Sequence, residues 1–197
     1  MTGFFQQDQY IRKTVKCEDC PLNHRTKVWG EGSLTKGGIV FLGEAPGENE
    51  DKHGRPFVGK AGRLLNKALQ EIGIRRLDNW TTNVINCRPP KNDFQATETK
   101  VALKKHCNNG LYEELDFLWE KRYKVIVPLG KNACSAFDIE GKMSEIRGTV
   151  HTFNKYIIVP TYHPSYIGRK GGVGTVEWYY WLEDLKKVKE ELLLEIV

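Results

Sequence analysis

Short apolar segments alternate along this chain with longer segments whose apolar residues recur at helical spacing. The pattern is clearest after Leu42, where a glycine-rich loop leads into residues 62–73 and Leu65, Leu69 and Ile72 fall on one helical face. A chain in which strands and helices alternate favours a parallel sheet with helices on both faces, which is an α/β fold. We predict strands at 37–44, 81–86, 124–130 and 155–165, and helices at 62–73, 97–120 with a break near 108–110, from 131 onward, and 175–193.

Length and composition are those of a globular protein with one domain. The 197 residues are enough for one domain with a full-sized core, or at most for two small domains. We treat residues 1–197 as a single domain whose residues 1–36 form an N-terminal arm, with a short helix or an irregular arm over residues 1–16. No apolar run approaches the roughly 20 residues of a membrane span, and the residues after Met1 lack the apolar core of a signal peptide. We therefore expect a cytoplasmic, nucleoid-associated protein without a membrane partner. The net charge of +5 mildly favours a polyanionic partner.

The loop after the first predicted strand is rich in glycine and charge and carries one aromatic residue. It reads GEAPGENEDKHGRPFVGKAG over residues 43–62, whereas a phosphate-binding loop would carry Lys followed by Ser or Thr. Ligands of parallel α/β sheets bind beyond the carboxyl ends of the strands, where this loop can meet those after Ile85 and Thr161. Glycines let backbone approach a planar ring closely. Phe57 therefore indicates a site for a flat ligand, with a buried core role as the alternative.

Five cysteines, an odd number, are spread through the sequence. Cys17 and Cys20 form the pair CEDC, while Cys87 and Cys107 stand alone. In a reducing compartment, spaced cysteines indicate metal binding or catalysis rather than disulfides. One pair and two single cysteines suit a four-thiolate iron–sulfur cluster; zinc and scattered structural thiols are the alternatives. Cys134 lies in a predicted helix and is interpreted as a small buried hydrophobic residue.

Five motifs occur together along the chain: CEDCPL, GEAPGENED, GRPFVGKAG, TNVINCRPP and HPSYIGR. In this combination the sequence resembles the family 4 uracil-DNA glycosylases, the iron–sulfur branch of the uracil-DNA glycosylase superfamily, over nearly the whole chain. The resemblance implies a three-layer α/β/α sandwich with a central four-stranded parallel sheet, and a [4Fe–4S] cluster on Cys17, Cys20, Cys87 and Cys107. It also implies a repair enzyme that hydrolyses uracil from single- or double-stranded DNA and leaves an abasic site. We expect it to act as a monomer.

The resemblance assigns base recognition to four residues. Phe57 would stack on uracil, and Asn83 would read the Watson–Crick edge, where cytosine presents the reverse hydrogen-bonding pattern. His163 would stabilise the negative charge that develops on uracil O2, in a protonation state that the sequence leaves open. Glu50 would lie beside C5 and exclude the methyl group of thymine.

The start of the long loop would complete the catalytic pocket. Gly43, Glu44 and Ala45 match the beginning of the family motif GEAPG. Many relatives outside this branch carry a catalytic aspartate at the position of Ala45. The group that activates water is therefore unassigned, and Glu44, Glu50 and Asp51 are the nearby candidates.

The residues after His163 would contact DNA. The resemblance places Ile167 as an apolar wedge that fills the gap left by the flipped base. Tyr166 and Arg169 flank this position, and the glycine-rich segment that includes Lys170 offers N–H groups and cations to phosphates. Arg88, beside a predicted cluster cysteine, is expected to be a further phosphate contact.

Three alternatives stay open from the sequence. The stretch between Cys87 and Cys107 is longer than the usual spacing of the family, so His106 is a rival fourth ligand. The chain could also be a DNA-binding module that keeps the pocket without turnover, or a zinc-stabilised protein that binds a nucleotide. The presence of Phe57, Asn83 and His163 together favours the enzyme.

Overall fold

A seven-stranded sheet organises the fold in the computed structural model, which describes residues 8–35 and 37–195. The order across the sheet is β1-β2-β4-β3-β5-β7-β6. The strands are β1 (Asp8–Tyr10), β2 (Gly30–Gly32), β3 (Gly38–Gly43), β4 (Trp80–Asn83), β5 (Tyr123–Pro128), β6 (His151–Phe153) and β7 (Tyr156–Ile158).

The four central strands, β4, β3, β5 and β7, pair in parallel, which confirms the predicted α/β class. The expected sheet of four strands is corrected, because β1 and β2 extend it antiparallel on one side and β6 on the other. These added strands have three residues each, DQY, GEG and HTF, and such short polar segments give no alternating apolar pattern. Residues 1–7 of the predicted arm lie outside the described residues, and residues 8–10 form a strand rather than a helix.

Eight α-helical segments cover the sheet in the part of the chain that the structure describes. They are α1 (Glu48–His53), α2 (Lys60–Glu71), α3 (Thr97–Ala102), α4 (Asn108–Glu120), α5 (Lys131–Cys134), α6 (Met143–Ile146), α7 (Pro164–Arg169) and α8 (Val176–Leu194). The irregularity predicted near residues 108–110 occurs earlier, as a π-helical turn at Leu103–Cys107 between α3 and α4. A π turn adds a residue to the helix, and Cys107 is the last residue of this one.

Helices pack on both faces of the sheet, which gives three layers. Along β3, Val40 and Leu42 pack on one face while Ile39 and Phe41 pack on the other. The first face is covered by α4 and α5, and the second by α2, α7 and α8. Cys134 is fully buried in the first layer, as predicted. Among the described residues, no helix has the length and apolar character needed to cross a bilayer.

Candidate functional site

A cavity of about 210 Å³ opens at the carboxyl ends of β3 and β4. The loop after β3, the loop after β4 and the start of α7 meet there, as expected for ligand sites of parallel sheets. The lining residues are Glu44, Ala45, Pro46, Gly47, Glu50, Phe57, Ala61, Asn83, Pro89, Asn92, His163 and Ser165. We call this cavity the base pocket. It brings together all the predicted pocket residues except Gly43. Gly43 is the last residue of β3 and lies next to Asn83 and Phe57 without lining the cavity.

Phe57 forms one wall of the base pocket in a strained backbone conformation. Its φ of 54° lies in the left-handed region, which is uncommon for a bulky residue. The conformation depends on Gly62, because a Cβ there would lie 1.6 Å from the Phe57 carbonyl oxygen. Arg76 donates from Nη1 to the Phe57 carbonyl and from Nη2 to that of Pro56, both at 2.8 Å, and its Cζ lies 5.7 Å from the ring centroid. Strain of this kind is typical of functional sites.

Asn83 ends β4 with its side chain in the base pocket. The residue is buried, and its side-chain amide has no hydrogen-bond partner among the described residues. A Cβ at Gly43 would lie 2.3 Å from Asn83 Oδ1 and 2.7 Å from Phe57 Cζ. Glycine at this position therefore allows the amide and the aromatic ring to lie side by side, with the amide free to bind a ligand.

His163 caps the N-terminus of α7 and faces the same cavity. Its Nδ1 accepts a hydrogen bond from the backbone N–H of Ser165 at 3.1 Å, so Nδ1 carries no proton. Burial, together with a smaller effect of the Arg169 cation, lowers the pKa of His163 to about 4. The ring is therefore neutral at physiological pH with its proton on Nε2. Its centroid lies 6.4 Å from that of Phe57.

Two carboxylates of the pocket have different surroundings. Glu44 Oε2 accepts a hydrogen bond from Asn132 Nδ2 at 2.9 Å. Glu50 Oε1 accepts one from the backbone N–H of Gly59 at 2.6 Å, which closes the loop around the pocket. Ala45 contributes only its main chain and a methyl group to the wall. Glu44 is therefore held by the side chain of Asn132, whereas Glu50 also braces the loop.

A second cavity, of about 440 Å³, adjoins the base pocket and shares Glu44, His163 and Ser165 with it. The tyrosines on either side of His163 stack there, with ring centroids of Tyr162 and Tyr166 4.7 Å apart. Cationic and polar side chains surround them, and the lining includes Lys131, Asn132, Ser144 and Arg169. Stacked aromatics beside cations are suited to a nucleic-acid strand.

Ile167 is not the surface wedge that the resemblance implied. Its side chain is fully buried and packs in the core between α2 and α8. The reason is helical geometry, because residue 167 is on the inner side of α7 while Tyr166 and Gly168 lie nearer the surface.

The other predicted DNA contacts lie at the surface or close to it. Lys170 is exposed, with Nζ 3.7 Å from Glu177. Arg88 is less available for a phosphate contact, since its Nε donates to Asn92 Oδ1 at 2.7 Å.

The four predicted cluster cysteines line one small cavity. Burial is the main cause of the raised pKa values of Cys17, Cys87 and Cys107, and Cys87 reaches about 12. The main chain of Asn86 hydrogen-bonds to Cys107 and opposes that rise. Cys107 is buried, whereas His106 lies nearer the surface with its Nδ1 2.6 Å from the Lys16 carbonyl oxygen. Within the described ranges, no three His, Cys, Asp or Glu side chains are arranged to hold a metal ion.

Two supporting residues of the site were missed by the sequence analysis. Arg76 holds Phe57 from 19 residues away along the chain, and Asn132 holds Glu44 from 88 residues away. Arg76 also lines a groove of about 670 Å³ behind Phe57. That groove is larger than the base pocket, but neither Asn83 nor His163 reaches it. A single Arg or Asn outside any recognised motif gives no signal of such a role.

Comparison with known proteins adds independent information. The family model "Uracil DNA glycosylase superfamily" matches residues 29–184. A protein named type-4 uracil-DNA glycosylase from Thermotoga maritima is 41% identical, with 90% of each chain covered. Proteins of the same name from Saccharolobus solfataricus and Archaeoglobus fulgidus are 36% and 39% identical; the matches cover 90% and 80% of this chain and 82% and 81% of theirs.

Proposed function

Because the chain belongs to the uracil DNA glycosylase superfamily, we infer that it is a uracil-DNA glycosylase that acts in DNA repair. We propose that it is monofunctional: it hydrolyses the bond between uracil and deoxyribose, leaves an abasic site and does not cleave the DNA strand. The observation that carries this proposal is the base pocket, where an aromatic ring, an unpartnered amide and a neutral imidazole face one cavity. A base must leave the stack to reach such a pocket.

Recognition of uracil rests on Phe57 and Asn83. The Phe57 ring provides a flat apolar surface for stacking. The Asn83 amide offers one donor and one acceptor, which match O4 and N3–H of uracil. In cytosine the donor and acceptor are exchanged, so an amide held in one orientation would leave buried polar groups unpaired.

Cleavage is assisted by charge stabilisation from His163. As the glycosidic bond breaks, negative charge moves onto uracil O2. A neutral imidazole with its proton on Nε2 donates a hydrogen bond to that oxygen, and the bond is strongest when the charge is fully developed. The Nδ1 contact with Ser165 supports this tautomer. Glu44, oriented by Asn132, is the carboxylate that we assign to positioning the attacking water.

We further propose that Cys17, Cys20, Cys87 and Cys107 hold a [4Fe–4S] cluster. The chemistry of the donor set fits, because four thiols line one buried cavity with apolar walls that include Leu22 and Ala102. The cluster would supply a structural crosslink between the N-terminal arm and the loop after β4. Cys107→Ser should therefore lose visible absorption, whereas Cys134→Ser, at a buried cysteine that does not line that cavity, should keep it.

The test of the proposed function uses an oligonucleotide with one deoxyuridine, followed by alkali. Cleavage that requires alkali, and that is greatly slowed in Asn83→Ala and His163→Ala, is the expected result. The assay is run on single-stranded and on duplex oligonucleotides, which shows which form of DNA is the better substrate. Sedimentation tests whether the protein is the expected monomer. Binding of uracil-containing DNA without abasic sites would contradict turnover and favour an inactive DNA-binding module.

A further inference from the structure

The N-terminal arm places a buried arginine beneath the base pocket. Tyr10 and the main chain of Lys13 and Thr14 donate hydrogen bonds of 2.7, 3.1 and 2.8 Å to Glu113 of α4. The arm passes so close to α4 that a Cβ at Gly110 would lie 2.2 Å from Val15 Cγ2. The position of Arg12, between these contacts, is therefore fixed by its neighbours on both sides.

Arg12 supplies hydrogen bonds to the main chain where a strand partner is missing. The β2–β4 ladder stops at the pair Glu31 and Thr81. Beyond it, Arg12 donates from Nη2 to the Asn83 carbonyl at 2.6 Å and from Nη1 to the Val84 carbonyl at 3.2 Å. These carbonyl groups would otherwise be buried without a partner, which is costly. The guanidinium thus takes the place of a strand partner at the end of β4, where the side chain of Asn83 enters the base pocket.

A buried carboxylate balances the charge of Arg12. Glu114 Oε2 accepts from Arg12 Nε at 2.7 Å and from the Thr82 hydroxyl at 3.1 Å, and both ion-pair side chains are fully buried. Glu114 Oε1 accepts from Trp80 Nε1 at 2.7 Å. Gly30 leaves room for this group, because a Cβ there would lie 1.9 Å from Glu114 Oε1. Arg12 therefore bonds to Thr82, Asn83 and Val84, three successive residues at and just after the end of β4.

We propose that Arg12 is a positioning residue for base recognition, which it controls by holding the main chain of Asn83. The inference rests on the proposed function. The side-chain amide of Asn83 has no hydrogen bond of its own within the described part of the chain, so its orientation depends on its backbone. Discrimination between uracil and cytosine requires that orientation. The arm that precedes Cys17 and Cys20 therefore contributes to specificity without touching the substrate.

A double-mutant cycle tests this proposal on the full-length protein with its native metal content. Arg12→Lys keeps a positive charge beside Glu114 but lacks the planar fork that reaches two carbonyls. We expect single-turnover excision of uracil at saturating enzyme to slow by roughly 10- to 100-fold, the scale of a misplaced contact. Affinity for DNA with a stable abasic-site analogue should be unchanged. In the Asn83→Ala background, Arg12→Lys should have almost no further effect. Tyr10→Phe, which removes one arm contact but none of Arg12, is the matched control.

Each other outcome counts against the inference. If Arg12→Lys lowers the rate by the same factor with and without Asn83, the effect is general destabilisation and the positioning role is wrong. If Arg12→Lys excises uracil like the wild type, the role is also wrong, while the proposed function stands. Only a wild-type protein without excision activity would overturn both together.

Discussion

At the scale of single residues, His163 determines how the site responds to pH. Burial first, and then the Arg169 cation, lower its pKa to about 4 from an ordinary value of 6.5. The neutral ring is the form that donates from Nε2. We therefore expect kcat/KM to be insensitive to this group from neutral pH down to about pH 5, and to fall only below that.

Arg169→Gln gives a control for the electrostatic part of this prediction. Without the cation the pKa of His163 should rise, so the acid limb of the pH profile should move to higher pH. Single-turnover rates at saturating enzyme separate this shift from weaker DNA binding. An acid limb near the ordinary histidine value in the wild type would contradict the buried neutral imidazole.

The same residue makes the free energy of unfolding depend on pH. The unfolded chain binds a proton at His163 near pH 6.5, whereas the folded protein does so near pH 4. Between these values the unfolded state holds more protons, so the free energy of unfolding decreases as pH falls through this window. We expect His163→Gln to show a shallower loss of stability between about pH 6 and pH 4 in urea titrations. An unchanged slope would mean that His163 titrates alike in both states.

At the scale of elements, Gly62 and Gly168 form a matched pair of helical glycines. A Cβ at Gly62 would overlap the Phe57 carbonyl, whereas one at Gly168 would have its nearest neighbour, Leu64 Cδ2, at 3.9 Å. We expect Gly62→Ala to displace Phe57 and to slow uracil excision at least about tenfold. Gly168→Ala should keep activity and be neutral or slightly stabilising, since Ala is the better helix former. Equal rates for the two variants would show that the position of Phe57 is not critical.

The buried position of Ile167 leads to a different prediction from that of a wedge. Truncation of a fully buried core side chain leaves a cavity, so Ile167→Ala should lower the free energy of unfolding by about 2–4 kcal/mol. Val173→Ala, at a half-exposed apolar residue in the following loop, should change it by less than about 0.5 kcal/mol. Urea unfolding measures both. A selective loss of activity in Ile167→Ala at unchanged stability would restore the wedge.

The elements that the sequence predicted are those with a clear apolar signal, either a continuous apolar run or a helical period. The strand at Gly38–Gly43 is close to its predicted bounds because it is a continuous buried run, and the helix at Lys60–Glu71 because its buried residues recur at helical spacing. The strand β2, which reads GEG, is set by its neighbours and by the space that Gly30 leaves for Glu114. The motifs located the pocket residues, but the contact between Arg12 and Glu114 spans 102 residues and has no local signal. Ile167 was misplaced because the resemblance gave its position along the chain and not its side of the helix.

At the scale of the whole molecule, the parallel sheet places the base pocket and the loop after α7 at the carboxyl ends of its strands, whereas Arg75 lies in the turn that leads into the amino end of β4. The net charge of +5 gives no such direction by itself. If DNA lies across the carboxyl end, phosphates should be neutralised there and not at the opposite end. The two ends can be distinguished because each carries exposed cations.

The salt dependence of DNA binding tests at which end of the sheet the phosphates are neutralised. Each phosphate contact with duplex DNA contributes about −0.9 to the slope of log K against log salt. Lys170→Ala should therefore make the slope shallower by up to about 0.9, and Arg169→Ala should make it shallower by a similar amount. Arg75→Ala, an exposed cation in the turn before β4, should leave the slope unchanged. The measurement uses duplex DNA with an abasic-site analogue, so that turnover does not interfere. A shallower slope for Arg75→Ala, or an affinity independent of salt, would mean that DNA does not follow the carboxyl end of the sheet.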